Sequence, residues 1–283
     1  MPHKLTVAVL GPGRLGASLA LVLGKAGYKV EEIVSRDPSA RRVRSLTRAL
    51  GAKSTSLVDA KLTSDLLWFC LPDTQIAPMA ARLSARGSWK GRVVFHASGA
   101  LSSDELDPLR KKGASVAAVH PLMTFIGDAP PSLHGVPFGV EGDSKAVRTA
   151  TAIIRRLGGE MFRISRAQKG AYHAFGGFTS PLLVALLVSA EQVAQAAGMS
   201  PSAARRRMLP ILRQTLENYA KSGPAVAFTG PIVRGDTLVV RKHLAALKST
   251  PEARRVYVAL ARAALRYLPL KKKNQLRRLL AEA

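Results

Sequence analysis

The stretch Leu5-Thr6-Val7-Ala8-Val9-Leu10-Gly11-Pro12-Gly13-Arg14-Leu15-Gly16 decides the fold. A short apolar run reads as a strand, and a turn punctuated by three glycines follows it. Leu15, Leu19, Leu23 and Ala26 then line one side of a helix that Gly27 ends. Gly11 permits the tight turn, Gly13 lets the backbone approach a pyrophosphate, and Gly16 allows close packing of helix on strand. The amides of Arg14 and Leu15 would face the phosphates at the positive end of the helix. The expectation is a dinucleotide site; a tight turn without a ligand is the alternative.

Outward from this turn the chain alternates. Lys29–Val34 reads as a second strand, with Asp37-Pro38 as N-cap and first-turn proline of the next helix. Leu66–Leu71 and Arg92–His96 are further apolar runs, with helical composition over Thr74–Ala85 between them. Ser102 and Glu105 form the pattern of a capping box for a helix ending at Gly113. Ser115–Val119, Val136–Val140 and Met161–Ile164 read as strands, the last two separated by a helix over Ser144–Leu157. Such alternation implies a doubly wound, mostly parallel sheet. Beyond Arg166 the strand signals fade. Ala167–Ala197 reads as one long helix, a second starts at Ser200-Pro201 with a kink at Pro210, and a third runs from Thr250-Pro251-Glu252 to Pro269. The expected fold class is α/β: a Rossmann domain over residues 1–165, then an all-α domain over 166–283.

The cofactor is read at the tip of the second strand. Nineteen positions beyond Gly16 stands Ser35, followed by Arg36. A carboxylate there would bind a ribose 2′-hydroxyl, whereas a hydroxyl and a guanidinium can hold a 2′-phosphate. NADP is therefore expected rather than NAD, the alternative being that Arg36 is an ordinary surface arginine.

In open α/β sheets ligands lie beyond the carboxyl ends of the strands. Three segments leave such ends: Pro72-Asp73, bordering the cofactor; His96-Ala97-Ser98-Gly99-Ala100; and His120-Pro121-Leu122. His96 and His120 could both face nicotinamide and substrate, and Ser98 the cofactor. Lys169 and His173 stand four apart on one helix face, where either could protonate the product of a hydride transfer. Their alternative is a basic helix edge. In the loop Thr229–Asp236, Arg234 could clamp a substrate carboxylate, with Asp236 beside it; equally the two could pair with each other.

Of 283 residues, 43 are Lys or Arg and 18 Asp or Glu, a formal charge of +25. The cations are scattered and accompany no helix-turn-helix, zinc or aromatic stacking pattern, so they read as solvated faces, with nucleic acid an unlikely partner. The single Cys70 excludes an intramolecular disulfide and a cysteine-cluster metal site, and no metal is expected. Met1–Leu5 shows no apolar leader, and Phe175–Ala190, short for a bilayer span, reads as a buried helix. A cytoplasmic protein without membrane contact is expected.

The set Gly11–Gly16, Ser98-Gly99-Ala100-Leu101-Ser102-Ser103, His120-Pro121-Leu122, Tyr172-His173, Thr229-Gly230-Pro231 and Arg234-Gly235-Asp236 resembles Rossmann-like proteins with a C-terminal DUF2520 domain. These look like relatives of pyrroline-5-carboxylate reductase, ketopantoate reductase and the F420-dependent NADP reductases. The resemblance implies a sheet domain, a helical dimerisation domain and an active site in the cleft between them, hence a homodimer. It puts Lys169 and His173 in the place of the Lys-x-x-x-Asn pair of β-hydroxyacid dehydrogenases and ketopantoate reductases, with lysine as proton donor. Histidine in place of asparagine departs from that pattern, as does Pro181, where many members carry asparagine after the pair aligned with Thr179-Ser180.

The expected function is an NADP(H)-dependent oxidoreductase reducing a small carbonyl or imine compound, an anionic one such as a ketopantoate-like 2-keto acid. Lys169, His173 and His120 are the catalytic candidates. Gly11, Gly13, Arg14, Leu15, Gly16, Ser35, Arg36, Pro72 and Ser98 are the cofactor candidates, and His96, Arg234 and Asp236 the substrate candidates. F420 as hydride partner, a non-catalytic NADP(H) sensor and a nucleic-acid-associated protein are the alternatives.

Overall fold

The computed structural model describes residues 5–127 and 130–283, so the expected absence of a leader at Met1–Lys4 lies outside the described residues. Its elements follow the alternation of the sequence. β1 (Thr6–Leu10) runs into α1 (Arg14–Lys25), and β2 (Lys29–Val34) into α2 (Arg41–Leu50). β3 (Lys53–Thr55) and β4 (Leu66–Phe69) precede α3 (Asp73–Ser84); β5 (Val93–His96) precedes a 3-10 turn (Ser103–Leu106) and α4 (Asp107–Arg110). β6 (Ser115–Pro121), β7 (Pro137–Gly142), α5 (Ser144–Arg156) and β8 (Glu160–Arg163) complete the alternating part. Then come a 3-10 turn (Arg166–Gln168), α6 (Lys169–Thr179), α7 (Pro181–Ala196), α8 (Pro201–Ala227), α9 (Pro231–Arg234), α10 (Thr237–Ala246), α11 (Pro251–Tyr267) and α12 (Lys273–Ala281).

The strands form one eight-stranded sheet in the order β3-β2-β1-β4-β5-β6-β7-β8. Every pairing is parallel except β6 with β7. Sheets covered on both faces need apolar residues on both, and β4 shows how. Leu66 and Trp68 enter the core beneath α1 and α5, while Leu67 and Phe69 enter the opposite core with Ile76 and Leu83 of α3. Trp68 meets Phe95 edge-on at 5.2 Å. The α/β fold with a mostly parallel sheet, followed by a helical region, is as the sequence implies. The order reverses between β1 and β4, and Leu10, Phe69 and His96 lie in register across β1, β4 and β5. The loops that leave these strands, and the end of β6, therefore share one edge.

The chain divides into two compact units, Met1–Gly177 and Phe178–Ala283. In the second, α10, α11 and α12 enclose a core that includes Val240, Leu244, Val258, Leu276 and Leu280. α7 contributes no buried residue. Leu182 and Val184 on α7 are more than half exposed, as are Ile211 and Leu216 on α8. The expected buried helix is thus corrected: the segment is apolar because of its composition but lies uncovered within a single chain. By length and hydropathy Arg166–Ala196 would suffice to cross a membrane. Its backbone leaves helical geometry at Ser180 (φ −130°, ψ −80°), just before Pro181, which divides the expected single helix into α6 and α7.

Other local expectations also shift. Asp37 does not cap α2; its carboxylate accepts from the Ser39 amide (3.0 Å) and hydroxyl (2.6 Å), closing a separate turn before Arg41. The Ser102 hydroxyl accepts from the Asp104 amide (3.3 Å), and the segment after it forms one 3-10 turn and one α-turn rather than a helix to Gly113. α8 passes through Pro210 and breaks at Gly223 (φ 73°, ψ 174°). Gly223 precedes Pro224, whose ring disfavours helical backbone in the residue before it. The expected loop Thr229–Asp236 holds the short helix α9.

Candidate active site

At the end of β1 the three glycines differ in what surrounds them. Gly11 has φ +88°, and a Cβ there would lie 2.5 Å from the Cys70 carbonyl oxygen. A Cβ on Gly16 would lie 2.1 Å from the Gly11 carbonyl oxygen and 2.9 Å from Cys70 Cβ. A Cβ on Gly13 would meet nothing within 4 Å. Gly11 and Gly16 let the turn and α1 close on β4, while Gly13 leaves its flank open. No side chain caps α1, so the first-turn amides of Arg14 and Leu15 remain available to an anion. The residues present therefore fit a pyrophosphate.

At the tip of β2, the Ser35 hydroxyl forms a small turn with the amide and carbonyl of Asp37 (both 3.2 Å). Arg36 is exposed and, among the described residues, has no ion pair. The one buried acid of β2, Glu32, points away from the tip: it accepts from the Lys61 (3.1 Å) and Leu62 (2.8 Å) amides. Pro72 is the exposed N-cap of α3. Burial pushes the Cys70 thiol up to about 12, so it is no nucleophile at neutral pH.

Beyond β5 and β6 the structure brings Ser98, Gly99, His120, Lys169 and His173 together. The Lys169 ammonium is buried and donates to the Ser98 carbonyl at 2.9 Å. Burial pulls Lys169 down to about 8, against the opposing fields of Glu141 and Asp73. Its helix entry is fixed by a capping box, the Ser165 amide and hydroxyl both donating to the Gln168 side chain. Arg166 adds contacts to Asp104 (2.9 Å) and Glu141 (3.5 Å). Glu141 in turn accepts from the Ser103 amide and, at 3.0 Å, from its hydroxyl. The loop after β5 and the start of α6 are thereby tied to the same carboxylate.

Gly99 sits between the imidazoles. A Cβ on it would lie 2.6 Å from His173 Cδ2 and 2.9 Å from His120 Nε2. The rings of His120 and His173 meet edge-on at 5.9 Å. Burial, with the charges of Lys169, His173 and His96, pulls His120 down to about 4, so it is neutral at pH 7. His96 is fully buried and occupied: Nε2 bonds the Ser102 carbonyl at 2.9 Å, and Nδ1 accepts from the Ser98 amide at 3.2 Å. The Ser98 hydroxyl accepts from the amides of Ala100 (3.2 Å) and Leu101 (3.0 Å). In the second unit, Arg234 ends α9, and Asp236 caps α10 by accepting from the Val239 amide at 3.2 Å.

Two residues of this cluster were not assigned a role from sequence. Tyr172 bonds His120 Nδ1 at 2.8 Å, and Glu141 is the buried acid just described. Each left a trace: Tyr172 follows Lys169 by three positions on one helix, and Glu141 is an acid inside an apolar strand.

Residues 1–121 match the family model described as a Rossmann-like domain, and residues 136–264 match that of a domain of unknown function, DUF2520. The first part of the chain is thus similar to Rossmann-like domains and the second to the DUF2520 domain. Among curated proteins it is 24% identical over 196 residues to pyrroline-5-carboxylate reductase of Haemophilus influenzae, covering 69% of this chain and 70% of that one. Among solved structures it resembles a Bacteroides fragilis protein named as a candidate NADP oxidoreductase. That likeness has 21% identity and a TM-score of 0.74, over 92% of this chain and 97% of the other. A reductive aminase from Aspergillus terreus, in complex with NADPH and ethyl-5-oxohexanoate, gives 16% identity and a TM-score of 0.65 over 93% and 94%. At these identities the structures establish the shared fold.

Proposed function

We propose that this Rossmann–DUF2520 protein is an NADP(H)-dependent oxidoreductase that reduces a small carbonyl or imine compound, with Lys169 as proton donor. The observation that carries the reading is the buried Lys169 ammonium, held by the Ser98 carbonyl on the sheet edge where the glycine turn also opens. The pyrroline-5-carboxylate reductase relative and the NADPH-bound aminase support it from outside the chain.

The amides of Arg14 and Leu15 would receive the pyrophosphate, with Gly13 leaving room for it; Pro72 would border the dinucleotide, and Ser35 with Arg36 would receive the 2′-phosphate. Bound NADPH supplies the hydride. The chain's own part is to orient the acceptor and deliver a proton to the oxygen or nitrogen that gains charge. With Lys169 at about 8, most molecules carry that proton at neutral pH and can release it readily. His120, neutral, offers a hydrogen bond, and the exposed His173 beside it contacts the substrate. His96 has both ring nitrogens occupied within the loop and shapes it, whereas the Ser98 hydroxyl accepts from the Ala100 and Leu101 amides and keeps its proton to donate to the cofactor. The substrate we propose bears a carboxylate, as in 2-keto acids, which the charge of +25 would attract.

The uncovered apolar faces of α7 and α8 support a homodimer in which a second copy covers them. The compartment we propose is the cytoplasm. Light scattering of the full chain tests the dimer, and a monomer at micromolar concentration would refute it.

The function is tested by following NADPH absorbance against a panel of keto and imino acids. Lys169→Met should lower turnover about 10²–10⁴-fold while NADPH affinity, measured by calorimetry, is kept. Wild-type turnover should be highest below the Lys169 value and fall as pH rises through about 8, because the donor is then deprotonated. Unchanged turnover in Lys169→Met removes lysine from the mechanism. Tight NADPH binding with no turnover across the panel refutes the enzyme.

A further inference from the structure

We propose that Tyr172 is a positioning residue that fixes His120 as its Nε2–H tautomer and aims that N–H over Gly99. The part played toward substrate rests on the reductase reading above; the tautomer lock does not.

The phenol oxygen lies 2.8 Å from His120 Nδ1, with the two rings edge-on at 5.5 Å and 85°. A phenol is a stronger acid than a neutral imidazole N–H, and an imidazole nitrogen is a better acceptor than a phenol oxygen. The favoured bond therefore runs from Tyr172 O–H to Nδ1, which leaves the ring proton on Nε2. Among the described residues this hydroxyl has no other acceptor. Tyr172 itself is neutral, since burial pushes it up to about 12.

The seat of the phenol is built into the sheet. Gly139 lies opposite His120 in the β6–β7 pairing, and a Cβ there would come within 2.9 Å of the Tyr172 ring. The bare Cα of Gly139 gives the ring its place, and Phe162 meets it from the side at 5.7 Å. On the far side of the imidazole, the bare Cα of Gly99 leaves Nε2 room. His120 is thus bracketed by two glycines, one seating its anchor and the other clearing its free N–H. The charged or polar groups facing it are Lys169, His173, His96 and Tyr172, none of them an anion, so a second proton on the ring would find no countercharge.

This divides the work of the site. Lys169 gives up a proton, whereas His120 donates only a hydrogen bond to the carbonyl oxygen or imine nitrogen. Because Tyr172 stands three positions after Lys169, α6 carries the acid and also sets the donor.

The test is long-range proton–nitrogen NMR of His120 in the full chain, which needs neither cofactor nor substrate. In the wild type, Nε2 should carry the proton and Nδ1 accept across neutral pH. Tyr172→Phe should populate both tautomers and raise the pH at which His120 titrates, because the bond that favours the neutral ring is gone. Gly139→Ala, which crowds the phenol without removing it, should do the same to a lesser extent. Both variants should lower kcat about tenfold or more while the KM for NADPH stays within about twofold. A proton on Nδ1 in the wild type overturns the proposal, as does a tautomer and titration unaltered in Tyr172→Phe. If the NMR results hold and no substrate is reduced, the lock stands and the reductase reading falls.

Discussion

The glycine turn after β1 and the cluster around Gly99 share one edge of the sheet, yet they are made in opposite ways. At the turn the useful groups are backbone amides within six consecutive residues, and what matters is what the side chains leave open. Around Gly99 the useful groups are side chains from β6 and α6, set against a loop carbonyl from beyond β5. The first kind of site is a local property of the chain. The second exists only once distant segments have been folded together.

Three Gly→Ala substitutions probe that difference. At Gly16 the added carbon would meet backbone, 2.1 Å from the Gly11 carbonyl oxygen, which cannot swing aside. We expect about 3 kcal/mol of destabilisation, a Tm lower by about 6–12 °C, and no measurable NADPH binding. An unaltered Tm would show that α1 can move off the turn. At Gly99 the carbon would meet the His173 and His120 rings, which can rotate. Stability should change by about 1 kcal/mol or less. Turnover should fall about 10–100-fold with the Kd for NADPH held within about twofold. Equal loss of cofactor binding would mean that the two regions are one site energetically. At Gly13 nothing lies within 4 Å, so the fold should not notice. The Tm should hold within about one degree. The carbon would occupy the space of the pyrophosphate, and the Kd for NADPH should rise about tenfold. Wild-type affinity in this variant would move the phosphates elsewhere.

The same contrast explains what was legible in the sequence. β1, the turn, α1 and β2 were readable because apolar period, glycine and cap signals lie within a few residues of what they govern. Lys169 and His173 were readable as a pair because helical spacing is local too. That Lys169 is buried against Ser98 was not, since the two are 71 positions apart. Tyr172 and Glu141 were missed for the same reason: their partners, His120 and Ser103, belong to other strands and loops. Asp37 misled because an acid before proline suits a helix cap and a tight turn equally, and only the Ser39 contacts decide. α7 misled because composition reports how apolar a helix is, not whether its own chain covers it.

The smallest expected effect belongs to Arg36, the one cofactor candidate here that would act through a flexible, exposed side chain. Its guanidinium has no ion pair among the described residues, so nothing restrains it before a 2′-phosphate arrives. Ordering a long side chain at the surface offsets much of a charge-assisted bond. Arg36→Ala should therefore raise the Kd for NADPH only about fivefold, equivalent to about 1 kcal/mol. NADH, which lacks the 2′-phosphate, should bind the variant as it binds the wild type. The gap between wild type and variant should also narrow as salt is added, because an exposed pair is screened over about 8–10 Å at physiological ionic strength. A loss of affinity for both dinucleotides would place Arg36 against the shared adenosine or pyrophosphate. No loss for either would leave Ser35 as the remaining candidate for holding the 2′-phosphate.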